Sequence, residues 1–311
     1  ALLGELICDP VTYHGRFVPE YFESEKTNLL EAIRSLINDK RDWADSRLLR
    51  ALCDGEAYAV PRLGDEETVD KLQALKVYTQ YRDLISTAPL EIIYSGSADL
   101  ERVKQALAAA FATLPREEVR VISTAAPHVC RESVQHVEDV LDVTQGKLGM
   151  GFSCGSDDMP ALLMGNTLFG GSSNSKLFLN VREKLSLCYY ASSLYHRQKG
   201  LITVSSGIEF QNYQRAYDEI MAQLEAVQEG ELEDWELEGA RSTLLNSYAT
   251  VGDSQGKLEN FYLGQAATGQ HETPADLARA IQDMTAERIC RAMSTVKLDT
   301  VYFLKGKEVE A

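Results

Sequence analysis

The amino-acid sequence predicts an α+β protein made of two related lobes, each an antiparallel sheet covered by helices, with the first lobe incomplete. Segments in which apolar and polar residues alternate, a pattern typical of strands, occur mainly in the second half of the chain. Longer segments with apolar residues at helical spacing accompany them, which favours the α+β class. The helices of the two halves also follow each other in the same order, which predicts a repeated domain.

The second half of the chain divides readily into elements. Strands are predicted at 132–142, 145–154, 187–196, 200–208 and 298–304. Helices are predicted at 159–169, 174–185, 211–228, 232–249, 254–267, 274–281 and 285–296. The longest of these helices are amphipathic, as expected of helices that cover one face of a sheet.

The first half of the chain is predicted to end in the same way. Its predicted elements are a helix ending at residue 8, helices at 19–39, 65–70, 75–84 and 98–113, and a strand at 90–96. A shift of 208 residues places Leu90 on Leu298 and Tyr94 on Tyr302, and the upstream helices then match in order. We therefore expect residues 1–96 to correspond to 209–304.

This repeat predicts how the chain is divided. Residue 1 would fall inside a helix in the middle of a domain, so either the N-terminal part of the first lobe is absent from this sequence or the first lobe is reduced. The exposed edge and core that half a sheet would leave favour the first alternative. Residues 1–114 would form the C-terminal part of the first lobe, 115–131 a linker and 132–311 the second lobe. The linker contains two prolines, which disfavour regular structure.

Composition and charge exclude several classes of function. Hydrophobic residues make up 44% of the chain and charged residues 25%, as in globular proteins. The net charge of −16 argues against binding to nucleic acid or to an anionic membrane. No apolar run approaches the ~20 residues that span a bilayer, and the first residues lack the basic start of a signal peptide. The six cysteines are scattered without a Cys-x-x-Cys pair, which favours a cytoplasmic location.

The spacing of the histidines excludes a zinc-peptidase motif within this sequence. Such a site needs three protein ligands and a base for the bound water, and a helical motif supplies two of the ligands as neighbouring histidines. No histidine has another within three to five residues; the histidines are His14, His128, His136, His196 and His271. Each is interpreted as a surface or packing residue, so no metal ligand and no catalytic residue is predicted. The Gly-x-Ser-x-Gly motif of serine hydrolases is also missing.

The stretch 168–190 indicates a candidate binding site more clearly than the isolated histidines do. Apolar residues at helical spacing predict a helix over its middle part, with Arg182 near the end of that helix. A strand follows, on which Tyr189, Ala191 and Ser193 are expected to share one face. An arginine at the end of a helix and a tyrosine on the next strand can therefore converge on one site.

This stretch resembles the second-domain signature of the insulinase (pitrilysin) metallopeptidase family. The signature runs Gly-Gly, a turn of small residues, Ser-x-Leu-Phe and then Arg-Glu-Lys-x-x-Leu-x-Tyr. Its elements stand here as Gly170, Gly171, Ser175, Leu177, Phe178, Arg182, Glu183, Lys184, Leu187 and Tyr189. In that family the arginine and the tyrosine face the zinc site across a closed chamber, hold the substrate backbone and help to stabilise the oxyanion. The resemblance covers essentially all of the chain and implies that Arg182 and Tyr189 are substrate-binding residues.

In the first lobe, the sequence departs from the zinc-ligand pattern of the active family members. Active members of the family carry a helix with Glu-[Arg/Lys]-x-x-x-x-x-Glu, whose last glutamate is the third zinc ligand. Glu25 and Lys26 match the start of this pattern, but Ala32 stands at the ligand position. Glu31 is adjacent, yet on a helix it points about 100° away. The resemblance therefore implies no cofactor in this chain, although active members use zinc.

The stretches 25–49 and 302–308 are most similar to the YfmF-type, non-catalytic bacterial members of the family. The resemblance implies that such members are encoded beside a catalytic sister and are linked to modification of a lysine on elongation factor P. It also implies the partners: a peptide or unfolded protein segment, and a related peptidase with which the chain forms a hetero- or homodimer.

Three functions are compatible with these observations. The first is a non-catalytic, peptide-binding partner of an active zinc metalloendopeptidase. The second is a fragment of an active zinc-dependent endopeptidase whose zinc motif lies upstream of residue 1. The third is a structural scaffold subunit, in which Arg182 pairs with Glu183 or another acid at the surface and Tyr189 lies in the core. The upstream sequence separates the first two functions, and peptide binding separates the first from the third.

Overall fold

The computed structural model describes residues 2–120 and 127–307. Its contacts divide the chain into two compact units. One unit is made of 1–36 and 61–123, and the other of 37–60 and 124–311. The predicted linker lies partly outside the described residues, because positions 121–126 belong to it.

The helices and strands are numbered in chain order. The helices are α1 (Leu2–Cys8), α2 (Pro19–Ser35), α3 (Lys40–Leu52), α4 (Glu66–Asp70), α5 (Ala74–Thr87), α6 (Leu100–Ala110), α7 (Met159–Asn166), α8 (Tyr213–Glu229), α9 (Asp234–Ala249), α10 (Gln255–Thr268), α11 (Pro274–Gln282) and α12 (Ala286–Met293). The strands are β1 (Thr12–Tyr13), β2 (Arg16–Phe17), β3 (Gln135–Leu141), β4 (Gly146–Cys154), β5 (Cys188–His196), β6 (Leu201–Ile208) and β7 (Val296–Gly306). Two π-helical segments, Thr167–Gly171 and Leu177–Lys184, lie between α7 and β5.

The predicted α+β class is confirmed. Every strand and helix predicted in the second half is present to within a few residues, although the helix predicted at 174–185 is a π-helical segment. Side-chain caps set the starts of several helices: Asp158 for α7, Thr273 for α11 and Thr285 for α12 each accept a backbone N–H of the first turn. These caps satisfy backbone donors that have no partner within the helix.

The strand predicted at 90–96 is wrong, and neither α3 nor the short β1–β2 hairpin was predicted. Residues 90–95 have no regular structure, and no strand among the described residues pairs with them. The corresponding strand of the second half, β7, is hydrogen-bonded on both sides, to β3 and to β4. A strand forms only where neighbours satisfy its backbone groups, so similar sequences differ here in structure. The correspondence of 1–96 with 209–304 stays a prediction.

The second unit is built on a five-stranded sheet in the order β3-β7-β4-β6-β5. The pair β3–β7 is parallel, and the other pairs are antiparallel. Strand β5 lies at one edge of this sheet. A β-bulge between Cys188 and Tyr190 shifts the register of β5 on β6, so that Tyr189 has no partner in the ladder.

Strand β4 is packed on both faces. Three of its apolar residues are buried in the main core: Leu148, Met150 and Phe152. The intervening Gly149 and Gly151 face α3, where a Cβ on Gly151 would lie 2.7 Å from Leu52 Cδ2 and one on Gly149 would lie 3.2 Å from Leu48 Cδ2. The two glycines therefore let α3 approach the sheet closely, which a larger side chain would prevent.

Hydrogen bonds also hold α3 against the sheet. Arg47 donates two hydrogen bonds to Asp139 of β3, at 2.8 and 3.2 Å, and the Tyr302 hydroxyl donates a third at 2.8 Å. Burial acts to raise the pKa of Asp139, but these donors outweigh it and hold that pKa below its usual value. Asp39 caps α3 by accepting the backbone N–H of Arg41. The first turn of α3, with Arg41, is thereby brought to the edge strand β5.

Candidate functional site

The two residues predicted to bind substrate, Arg182 and Tyr189, flank a tight reversal between the second π-helical segment and β5. The Leu185 N–H donates to the Asn180 carbonyl at 3.0 Å, which is the wide hydrogen-bond pattern of a π-helix. The Ser186 N–H donates to the Arg182 carbonyl at 3.1 Å, and Ser186 has a φ of 50°, which reverses the chain. Arg182 therefore lies at the end of a helical segment and Tyr189 at the start of a strand, as predicted.

A glycine allows the preceding turn to pack against β5. A Cβ on Gly170 would lie 2.7 Å from both the backbone nitrogen and the Oγ of Ser193. Ser193 is itself held in place, because its hydroxyl donates to Asn166 Oδ1 at 2.7 Å. Any side chain at position 170 would push the turn away from the edge of the sheet, which explains a glycine here.

Tyr189 lies on the surface and not in the core. Its side chain is 60% exposed, whereas Ala191 is 5% exposed. The bulge at Tyr189 interrupts the alternation of side chains, so the prediction that Tyr189 shares a face with Ala191 and Ser193 is wrong. The Tyr189 hydroxyl donates to Glu209 Oε1 at 2.5 Å. This hydrogen bond and the charge of Glu209 raise the pKa of Tyr189, so the phenol keeps its proton and remains a donor.

Arg182 is also accessible, with 42% of its side chain exposed. Its guanidinium lies over the Phe178 ring, 4.7 Å from the centroid, and its Nε is 3.6 Å from Glu183 Oε1. An exposed ion pair of this length is weak, so several N–H groups of the guanidinium remain directed to solvent. The predicted surface pairing of Arg182 with Glu183 is therefore present, but it leaves N–H donors of the guanidinium available for other partners.

Arg182 and Tyr189 line one open cavity of about 430 Å³. The other residues that line it are Glu183, Ser186, Leu187, Cys188 and Glu209. A guanidinium and a phenol in one cavity can both donate hydrogen bonds to the carbonyl oxygens of an extended peptide. Their role in binding a peptide stays a prediction.

Glu209 is a residue of this cavity that sequence reasoning missed. It directly follows β6, whose last residue Ile208 pairs with Cys188 of β5. The register of the predicted β5–β6 hairpin could have identified it, because that register brings residue 209 beside the start of β5. Glu209 sets the direction of the Tyr189 hydroxyl and would compete with a peptide carbonyl for its proton.

The helix that carries a zinc ligand in active relatives of this signature does not fit a metal here. Ala32, which the family resemblance places at the ligand position, lies in α2, and its methyl group has no lone pair to offer. The adjacent Glu31 is exposed to solvent. The residues of α2 therefore do not complete a zinc site.

Among the described residues, one group brings three potential metal ligands together: Cys53, Glu56 and His128, whose ligand atoms lie within 4.8 Å of one another. His128 lies between two carboxylates, with Nδ1 2.6 Å from Glu56 and Nε2 3.2 Å from Asp299. Glu56 also forms an ion pair with Lys199. Burial raises the pKa of the Cys53 thiol to about 11. Glu56 and both nitrogens of His128 therefore already have partners within the protein, and a metal would in addition require deprotonation of Cys53.

Comparison with known proteins places this geometry in a family. A family model described as the peptidase M16 inactive domain matches residues 71–244. The chain is 35% identical to the probable inactive metalloprotease YmfF of Bacillus subtilis, over 99% of this chain and 72% of that protein. It is 25% identical to an uncharacterized zinc protease of Streptomyces coelicolor, over 92% of this chain and 64% of that protein.

Solved structures agree with these sequence matches. A conserved protein from Enterococcus faecalis superposes with a TM-score of 0.90 at 26% identity, covering all of this chain and 74% of that one. A peptidase M16 inactive domain from Pseudomonas fluorescens superposes with a TM-score of 0.80 at 17% identity, covering 99% and 74%. No helix formed by the described residues has the length and apolar character needed to cross a bilayer. The chain therefore belongs to the M16 peptidase family and matches the inactive domain of that family, which fits the expectation of no cofactor in this chain.

Proposed function

We propose that the chain is a non-catalytic partner of an active zinc metalloendopeptidase of the same family, and that it binds a peptide or an unfolded protein segment. The observation that carries this proposal is the open cavity lined by the Arg182 guanidinium and by the Tyr189 phenol, whose proton is now donated to Glu209 of the same cavity. Ala32 supports the non-catalytic part, because it stands where active members have a zinc ligand. Such a chain can hold a peptide, but its helix α2 supplies no ligand at position 32 for a zinc ion that would activate water.

The chemistry of the cavity suits the backbone of a peptide. The Arg182 guanidinium combines a permanent charge with several N–H donors, and the Tyr189 phenol donates one further hydrogen bond. The present acceptor of Tyr189 is Glu209, and a peptide carbonyl can take its place. Donors fixed by a helix end and a strand lose little freedom on binding, which is the condition for stabilising charge on a carbonyl oxygen. A partner with its own zinc site would supply the hydrolytic step.

Binding of a labelled peptide tests the proposal. Fluorescence anisotropy of fluorescein-labelled unfolded peptides should show saturable binding, and Arg182→Ala should weaken it on the order of 10-fold, as expected for loss of a charged hydrogen bond. Arg279→Ala is a matched control, because Arg279 is a 74% exposed arginine on α11 that does not line the cavity. Absence of binding to every peptide tested, or equal loss in both variants, would overturn the proposal and favour a scaffold role.

A further inference from the structure

A second cavity, of about 380 Å³, lies beside the first within the same unit. Its lining comes from α3, the glycine turn, the second π-helical segment and β5. The residues that line it are Arg41, Gly170, Gly171, Ser172, Ser173, Phe178, Arg182, Tyr190, Ala191, Ser192 and Ser193. It shares Arg182 with the first cavity and adds a second arginine, Arg41, which no sequence motif indicates.

We propose that this second cavity binds a carboxylate of the peptide, with Arg41 as its main anion-binding residue. The proposal rests on the proposed function, because it concerns a charged group of the peptide held in the neighbouring cavity. The carboxylate can come from a peptide C-terminus or from an Asp or Glu side chain. In either case, a planar carboxylate fits the N–H fork of a guanidinium, which binds it through two parallel hydrogen bonds.

The Arg41 side chain is positioned but not neutralised. Its guanidinium lies over the Tyr190 ring, 4.4 Å from the centroid, and donates to Ser192 Oγ at 3.1 Å. Arg41 is exposed, and although its charge acts on Asp39 and Asp45, it belongs to no salt bridge among the described residues. The stacking and the single hydrogen bond orient the group, while its other N–H donors remain available for an anion.

Nearby acids are engaged elsewhere. Asp39 accepts the backbone N–H groups of Arg41 and Asp42 at the start of α3, and these hydrogen bonds lower the pKa of Asp39. Asp45 is half-buried, and this burial raises its pKa, while Ser205 and the charge of Arg41 act to lower it. The charge of Arg41 therefore acts on both acids only through space, and no acidic side chain of the described residues lines the cavity itself.

A second arginine adds to the positive potential of this cavity. Arg182 lines it together with Arg41, and its described lining residues include no aspartate or glutamate. Like charges that converge on one polar cavity are disfavoured unless an anion compensates them. Because the whole chain carries a net charge of −16, a single carboxylate fits this local patch better than an extended polyanion.

Pairs of peptides that differ only in one carboxylate test the inference. One fluorescein-labelled pair has a free or an amidated C-terminus, and a second pair has an internal Glu or Gln. With the unsubstituted chain, the acid form of at least one pair should bind about 10-fold more tightly by anisotropy, as expected for a carboxylate–arginine pair, and the pair concerned identifies the source. Arg41→Ala should abolish this preference. The control Arg50→Ala, an exposed arginine on the same helix, should retain it.

The outcomes separate this inference from the proposed function. If acid and neutral peptides bind with equal affinity, or if Arg41→Ala keeps the preference, the carboxylate site is refuted while peptide binding stands. If no peptide binds at all, the proposed function fails and this inference fails with it. The preference of the unsubstituted chain is informative by itself, so the test does not depend on the stability of a variant.

Discussion

Replacement of Arg182 by alanine is expected to leave the fold nearly intact and to lower turnover by a complex with the catalytic partner. Arg182 is partly exposed, and its contacts are a 3.6 Å approach to Glu183 and stacking on Phe178. A surface ion pair contributes about 0–1 kcal/mol and an exposed cation–π contact about 0.5–1 kcal/mol. We therefore expect a loss of unfolding free energy of roughly 1 kcal/mol, which lowers the melting temperature of a domain of this size by about 2–4 °C.

The functional effect of the same substitution is expected to be much larger. Loss of a preorganised donor to a developing oxyanion costs about 2.7–4 kcal/mol of barrier, which corresponds to a rate decrease on the order of 10²–10³. The small loss of unfolding free energy and the large decrease in turnover can thus be separated in one variant. If Arg182 had a structural role instead, the substitution would cause a large loss of stability and leave the turnover by the folded fraction unchanged.

The assay combines calorimetry with peptide hydrolysis. The chain and its Arg182→Ala variant are each mixed with the catalytic partner, and kcat/KM is measured on one fluorogenic peptide at equal concentration of assembled complex. Arg279→Ala serves as the control for a removed surface charge. Unchanged kcat/KM in the Arg182 variant, or a melting temperature lowered far beyond the expected few degrees, would refute the reasoning.

Three further outcomes are expected. Elemental analysis of chelator-free protein should find far less than one metal ion per chain, and a stoichiometric, chelator-sensitive zinc would contradict the assignment of an unmetallated chain. Gly151→Val should destabilise the second unit by about 1–3 kcal/mol in urea unfolding, because the added atoms meet Leu52, whereas Gly256→Ala, whose Cβ would lie 4.0 Å from Ser254 Oγ, should not. Asp158 is bound by Arg288, which lowers the pKa of Asp158 in the folded state, and it also caps α7. Its stabilisation is present above the unfolded pKa of about 3.9 and is lost as pH falls below that value. Asp158→Asn should therefore cost about 0.5–2 kcal/mol at pH 7 and progressively less as the pH falls below about 3.9, and a cost that does not change with pH would show that the charge is irrelevant.

Part of the candidate site could be predicted because it is local in sequence. Arg182 and Tyr189 are seven residues apart, at the end of a helical segment and the start of a strand, so one reversal brings them to the same cavity. The bulge at Tyr189 could not be predicted, since it depends on the register of β5 against β6. That register exposes Tyr189 and separates it from Ala191, against the expected alternation.

Periodicity alone determined the elements of the second half, and the resemblance to the family signature placed Ala32 at a ligand position, because both depend on residues that are neighbours along the chain. Only the tertiary structure decided that 90–96 forms no strand, since a strand depends on partners that satisfy its backbone groups. It also decided that α3 covers the glycines of β4, and that Arg41 reaches Ser192, far along the chain. Such contacts depend on how surfaces that are distant along the chain fit together, and the local sequence of a helix does not determine which surface it packs against.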